Sequence, residues 1–117
     1  MNQYRGFLGT VEQTSDFTTF AARIYKVGQP GDGLKAYLYQ LDDVQSVWIP
    51  VTGVNSSTVV PAESILSDDR GGLAVFKFDP ALKARRGPYM IKIYRTGSPD
   101  DKNYYRLYHK FQNRMES

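Results

Sequence analysis

The stretch Leu34-Lys35-Ala36-Tyr37-Leu38-Tyr39-Gln40-Leu41 decides the fold class. Successive side chains of a strand point to opposite faces. Leu34, Ala36 and Leu38 therefore fall on one face, and Lys35, Tyr37 and Tyr39 on the other. A helix would scatter these six residues around its circumference. The preceding residues, Val27-Gly28-Gln29-Pro30-Gly31-Asp32-Gly33, are a turn, because Gly admits positive φ and Pro fixes φ at a corner. Asp42-Asp43 turn the chain again. Val47, Ile49 and Val51 then alternate with Ser46, Trp48 and Pro50. Pro50 marks a strand end or a sheet edge, since it has no amide to donate.

The same pattern extends in both directions. Strands are expected at 4–12, 16–26, 73–78, 88–95 and 104–111, with a short one at 58–60 stopped by Pro61. Residues 62–66 fit either a helical turn or another short strand. Asp68-Asp69-Arg70-Gly71-Gly72 and the stretch 96–103 are turns. One short helical turn is expected near 80–86. Asp79 caps it, Pro80 takes its first position, Lys83, Arg85 and Arg86 fill its end, and Gly87 stops it. Seven or eight strands, with turn signals about every 8–12 residues, predict an all-β chain folded as an antiparallel two-sheet β-sandwich. A five-stranded barrel is the rival, but the strand count is high for it. The expected core is Leu34, Leu38, Val47, Ile49, Leu73, Val75, Ile91, Ile93 and Leu107.

Composition agrees. Of 117 residues, 14% are aromatic, with 9 Tyr, 6 Phe and 1 Trp. Such residues fit a pleated, half-buried surface. The length predicts a single domain, 1–117, with 1–10 and 112–117 as arms able to pair with a neighbour's sheet edge. The absence of Cys excludes a disulfide framework, a zinc-thiolate site and a Cys nucleophile, and a single His excludes a multi-His site built by this chain alone. Neither a metal nor a cofactor is expected. Lys+Arg 15 against Asp+Glu 12 gives a net charge of +3 with the signs interleaved, which does not indicate a nucleic-acid partner. No apolar run approaches the ~18 residues of a membrane helix, and the first ten residues hold no apolar secretion signal.

Four groups of side chains bear on chemistry. Tyr37, Tyr39, Trp48, Tyr94, Tyr104 and Tyr108 sit on the strand faces opposite the aliphatic residues, and Lys35, Lys92, Arg106 and Lys110 share those faces. Aromatic planes beside cations suit a protein partner, a sugar ring or an unstacked base, and the plainer reading is cross-strand packing. Of the partner readings, protein is preferred, through Tyr37, Tyr39, Trp48, Tyr94, Tyr104, Arg106 and Tyr108. The pairs Asp42-Asp43, Asp68-Asp69 and Asp100-Asp101 fall in loops, where Asp serves turns more often than it binds calcium. His109 has no Ser or Cys in a recognisable elbow. Lys83, Arg85 and Arg86, with Arg95 near, form a basic group of the kind that meets phosphate or merely ends a helical turn. No acid and base face one substrate, so an enzyme is not expected.

The succession Asp68-Asp69-Arg70-Gly71-Gly72-Leu73-Ala74-Val75-Phe76-Lys77-Phe78, then Gly87-Pro88-Tyr89-Met90-Ile91-Lys92-Ile93-Tyr94-Arg95, resembles the late strands of immunoglobulin-like domains, without their Cys and core Trp. Within that architecture a small Cys-free chain is similar to accessory domains of tailed-phage virions, such as capsid decoration (cement), baseplate and tail proteins. The resemblance implies a non-enzymatic structural subunit, made in the host cytoplasm and located in the virion. It would be homo-oligomeric and would stabilise a capsid or tail lattice through protein–protein contacts. The alternative is a carbohydrate-binding module that uses the aromatic face of Tyr37, Tyr39 and Trp48.

Overall fold

In the computed structural model, residues 4–51, 55–67, 72–97 and 102–107 are described. They form β1 (Tyr4–Val11), β2 (Ser15–Val27), β3 (Leu34–Asp42), β4 (Val47–Pro50), β5 (Gly72–Ala84), β6 (Gly87–Arg95) and β7 (Tyr104–Leu107), with one 3₁₀ turn at Ala62–Ser64. A four-stranded sheet has the order β1-β6-β3-β4 and a three-stranded sheet the order β5-β2-β7. All pairings are antiparallel, and the two sheets pack as a sandwich. In an immunoglobulin sandwich, counted in chain order, strands two and five share one sheet and strands three and six the other. Those central pairs are present here. The first, fourth and last strands lie in the sheets opposite to that order.

Strand β3 shows why the alternation was decisive. Leu34, Ala36, Leu38 and Gln40 are buried, while Lys35, Tyr37 and Tyr39 are half-buried on the outer face. The inward side meets Ile91 and Ile93 of β6, both buried. Gln40 is the polar member of that row. Its amide nitrogen donates to the Arg85 carbonyl at 2.7 Å, and its amide oxygen accepts from the Arg85 N–H at 2.9 Å. Both ends of the amide are thus paired, which makes its burial tolerable. The Val27–Gly33 stretch is the expected turn, with Gly28 at φ +76. A β-carbon on Gly33 would lie 2.5 Å from the Val60 carbonyl oxygen, so only glycine fits there.

The core crosses between the sheets on aromatic rings. Phe7 of β1 meets Phe20 of β2 at 5.2 Å between ring centroids. Phe17 of β2 packs edge-on against both Phe78 of β5 and Tyr89 of β6 at 5.4 Å. Offset and edge-to-face arrangements suit the ring quadrupole.

Three expectations are corrected. Strand β5 has the opposite phase to the one read from sequence: Leu73 and Val75 are 60% and 43% exposed, and Ala74, Phe76, Phe78, Leu82 and Ala84 are buried. Two Phe rings bury more area than Leu and Val, and a one-residue shift turns every side chain over. On β4, Val47 and Ile49 are 44% and 38% exposed. This strand is only four residues long and pairs with β3 alone, so it does not reach over the core. The helical turn expected near 80–86 is instead the far end of β5. There Phe17 pairs with Leu82, Asp16 with Lys83 and Ser15 with Ala84, beyond a register shift at Phe17/Thr19. A lone helical turn gains little by itself, whereas extended backbone buries Leu82 and Ala84 and completes the ladder to β2. Pro80 is tolerated because β5 is an edge strand.

The stretch expected at 58–60 runs as a strap over 55–60, bridged to β3 at Val60–Leu34 and Ser56–Tyr37. Buried Ser57 accepts the Ala36 N–H on its hydroxyl at 2.9 Å, and its own N–H donates to the Ala36 carbonyl at 2.7 Å. Thr58 donates its N–H to the Lys77 carbonyl of β5 at 2.8 Å, so the strap joins the two sheets along this side. The segment expected as the arm 1–10 contains β1, which pairs with β6 at all eight of its positions. The arm 112–117 lies outside the described residues.

Candidate partner-binding face

Residues paired across an antiparallel ladder project from the same face of the sheet. The β3–β6 register pairs Lys35 with Tyr94, Tyr37 with Lys92 and Tyr39 with Met90. These six residues therefore share the outer face of the four-stranded sheet, opposite the buried Leu34, Ala36, Leu38, Ile91 and Ile93. Strand β4 extends the face with Trp48 opposite Leu41 and Pro50 opposite Tyr39. On the other flank β1 places Leu8, 65% exposed, opposite Met90.

The rings are held by one another. Tyr37 and Tyr94 meet edge to face, with centroids 5.4 Å apart and planes at 88°. The Lys92 ammonium stands 4.9 Å above the Tyr39 ring centre, within cation–π range. Burial raises the Tyr39 hydroxyl pKa above its usual value, and the neighbouring Tyr94 and Tyr37 add to the shift. The result is an aromatic surface that carries Lys35 and Lys92, with the Lys92 ammonium over a ring.

Of the seven residues expected to bind a partner, four come together here: Tyr37, Tyr39, Trp48 and Tyr94. Tyr104 and Arg106 do not join them. They pair with Val27 and Tyr25 of β2, on the outer face of the three-stranded sheet. The sequence alternation placed each residue on an outward face but did not say which sheet β7 would join. Tyr108 lies outside the described residues, as do His109 and the Asp68-Asp69 and Asp100-Asp101 pairs. Sequence reading missed Leu8 and Met90 as members of the face. Their strand parity carried the signal, since each falls opposite a buried neighbour.

Lys83, Arg85 and Arg86 stay at the β5–β6 hairpin, and Arg95 does not join them. Lys83 pairs with Asp16 at 2.7 Å, but both side chains are well exposed, so the pair contributes little stability. Arg95 lies elsewhere, in a lock between the β2–β3 and β6–β7 connections. Its Nε and Nη2 donate to the two Asp32 carboxylate oxygens at 3.0 and 2.6 Å, and its Nη1 donates to the Asn103 carbonyl at 2.9 Å. Gly97 adds its N–H to Asp32 at 3.0 Å, and the Tyr105 hydroxyl donates to the Asp32 backbone carbonyl. Asp42 behaves as a turn former, accepting the N–H of Val44 at 3.0 Å on its carboxylate. Among the described residues no three His, Cys, Asp or Glu side chains gather as a metal site requires. No family model, curated protein or solved structure matches the chain.

Burial pushes the Tyr105 hydroxyl up to about 12, with the Asp32 carboxylate adding to the shift. A phenol is neutral when protonated, so its stabilising contribution is intact below the ordinary value near 10. That contribution is lost as pH rises through about 12. Tyrosinate absorbance should therefore show a late-titrating phenol among the nine Tyr, with circular dichroism falling as it ionises. A single step near pH 10 for all nine, with the fold intact, would contradict the lock.

Proposed function

We propose that this chain is a non-enzymatic interaction subunit that docks on another protein through the outer face of its four-stranded sheet. The assembly it serves is of the virion accessory type that the strand pattern resembles, with the chain adding stability to a capsid or tail lattice. The observation that supports this reading is the cluster of Tyr37, Tyr39, Tyr94, Met90 and Lys92 on a rigid sheet, flanked by Trp48 and Leu8. Tyr, Trp and Met are enriched where proteins meet, because they bury large area at small entropic cost. Sheet backbone also holds them in place before the partner arrives. The 88° between the Tyr37 and Tyr94 planes means that this pair does not form one flat shelf for a pyranose.

A photo-reactive residue placed at Tyr37 or at Tyr94, in particles or cells that contain the chain, tests the reading. A discrete protein adduct is expected from both positions and none from exposed Thr19 on the other sheet. The Tyr37→Ala/Tyr94→Ala variant should remain folded, losing about 1–2 kcal/mol for the half-buried ring pair. It should lose partner binding. Glycan-array binding in place of protein adducts would sink this reading and favour the carbohydrate module.

A further inference from the structure

The four-stranded sheet has one unguarded edge, and we propose that it pairs with the same edge of a second copy of this chain. Strand β1 pairs with β6 without a register break from Tyr4↔Tyr94 to Val11↔Gly87. Its other edge has no strand partner among the described residues. A strand's unpaired edge presents alternate N–H and C=O groups to any matching strand, and proteins usually blunt such edges with Pro, bulges, charges or short length. Among the described residues β4 and β5 carry those devices, and the remaining edge strand, β7, spans only four residues there. Strand β4 is four residues long and ends in Pro50. Strand β5 contains Pro80 and a register shift, and Thr58 of the strap bonds to its Lys77 carbonyl. In contrast, β1 reads YRGFLGTV: eight residues, one charge and no Pro.

The occupant follows from self-complementarity. An antiparallel strand pair has a two-fold axis of its own, so β1 can meet β1 of a second copy in one isologous contact. Residues that face each other must lie on the same side of the sheet, which restricts the register. With Leu8 opposite its own symmetry mate, Gly6 faces Thr10, Phe7 faces Gly9 and Arg5 faces Val11. No like charges oppose one another, and the 65% exposed Leu8 is covered by its mate. The pairing joins two four-stranded sheets into one. It shares Leu8 with the proposed docking face but does not depend on the outer tyrosines, so the tyrosine variants separate its failure from failure of the proposed function.

Light scattering across a concentration series should show the mass approaching twice the 13.3 kDa of one chain. The Leu8→Lys variant sets two like charges face to face, and its dissociation constant should rise about tenfold or more with its circular dichroism spectrum unchanged. The chain has no Cys, so introduced thiols report cleanly. Leu8→Cys should form a covalent pair under mild oxidation. Val44→Cys, on a residue 93% exposed in the β3–β4 turn, should not. The Tyr37→Ala/Tyr94→Ala variant should pair as the native chain does. Three results would each overturn the proposal: a strict monomer at every concentration, a pair that survives Leu8→Lys, or equal cross-linking from Leu8→Cys and Val44→Cys.

Discussion

Phe76→Ala is expected to remove about 3–5 kcal/mol of stability, enough to unfold a domain whose total is roughly 5–15 kcal/mol. Phe76 is fully buried and leads the large side chains in the core. It pairs with Phe20 on β2. Truncation removes the ring's transfer energy and leaves a cavity that two sheets held by continuous ladders cannot collapse to fill. Leu73→Ala, three positions away on the exposed face of the same strand, should cost less than about 1 kcal/mol. Urea midpoints with equal slopes measure both. Comparable losses at the two positions would mean that β5 has the phase the sequence first suggested.

Asp32→Asn should cost about 2–4 kcal/mol, because the Arg95 side chain is only 10% exposed and would lose the charge of its two-pronged partner. The amide could still accept one hydrogen bond, but not the two-pronged grip of the guanidinium. The native pair also has a definite acid signature. The Arg95 hydrogen bonds hold the Asp32 carboxyl below its ordinary value, against the opposing effect of burial. A carboxyl depressed in the folded state stabilises fully above its unfolded value of about 3.9, and that stabilisation disappears as pH falls through the folded value. Stability of the native chain should thus fall below about pH 4, and Asp32→Asn should lack this phase. Parallel pH curves for the two proteins would show that the lock contributes nothing.

The sequence made some of this legible and hid the rest for identifiable reasons. In β3 every second residue was aliphatic and its neighbours were Lys or Tyr, so fold class, face and part of the aromatic surface could be read from one stretch. In β5 both phases were apolar, Leu73 and Val75 against Ala74, Phe76 and Phe78. Alternation alone could not choose, and the choice fell to ring area. The run after Asp79 carried a full set of helix-end signals, yet those are worth little beside the ladder that Phe17 offers Leu82. The aromatic face was half legible because parity assigns a residue to a side of its own sheet and says nothing of which sheet that strand joins. Tyr104 and Arg106 went to the opposite surface for that reason. The Asp32–Arg95 lock joins residues 63 apart in the chain, and no local pattern announces such a partner.

The strap that covers the N-terminal half of β3 sets a limit on growth. A sheet open at both margins is the repeating unit of a fibre, because each addition exposes a fresh template. In this sheet one margin is spent on Ser57 and Thr58, whose amides are turned to Ala36 and across to Lys77. What is left beyond it is four residues closed by Pro50. Edge pairing by this sheet consequently has a terminus built in: among the described residues a sheet joined at β1 offers no second margin of comparable length, and its elongation stops where it starts.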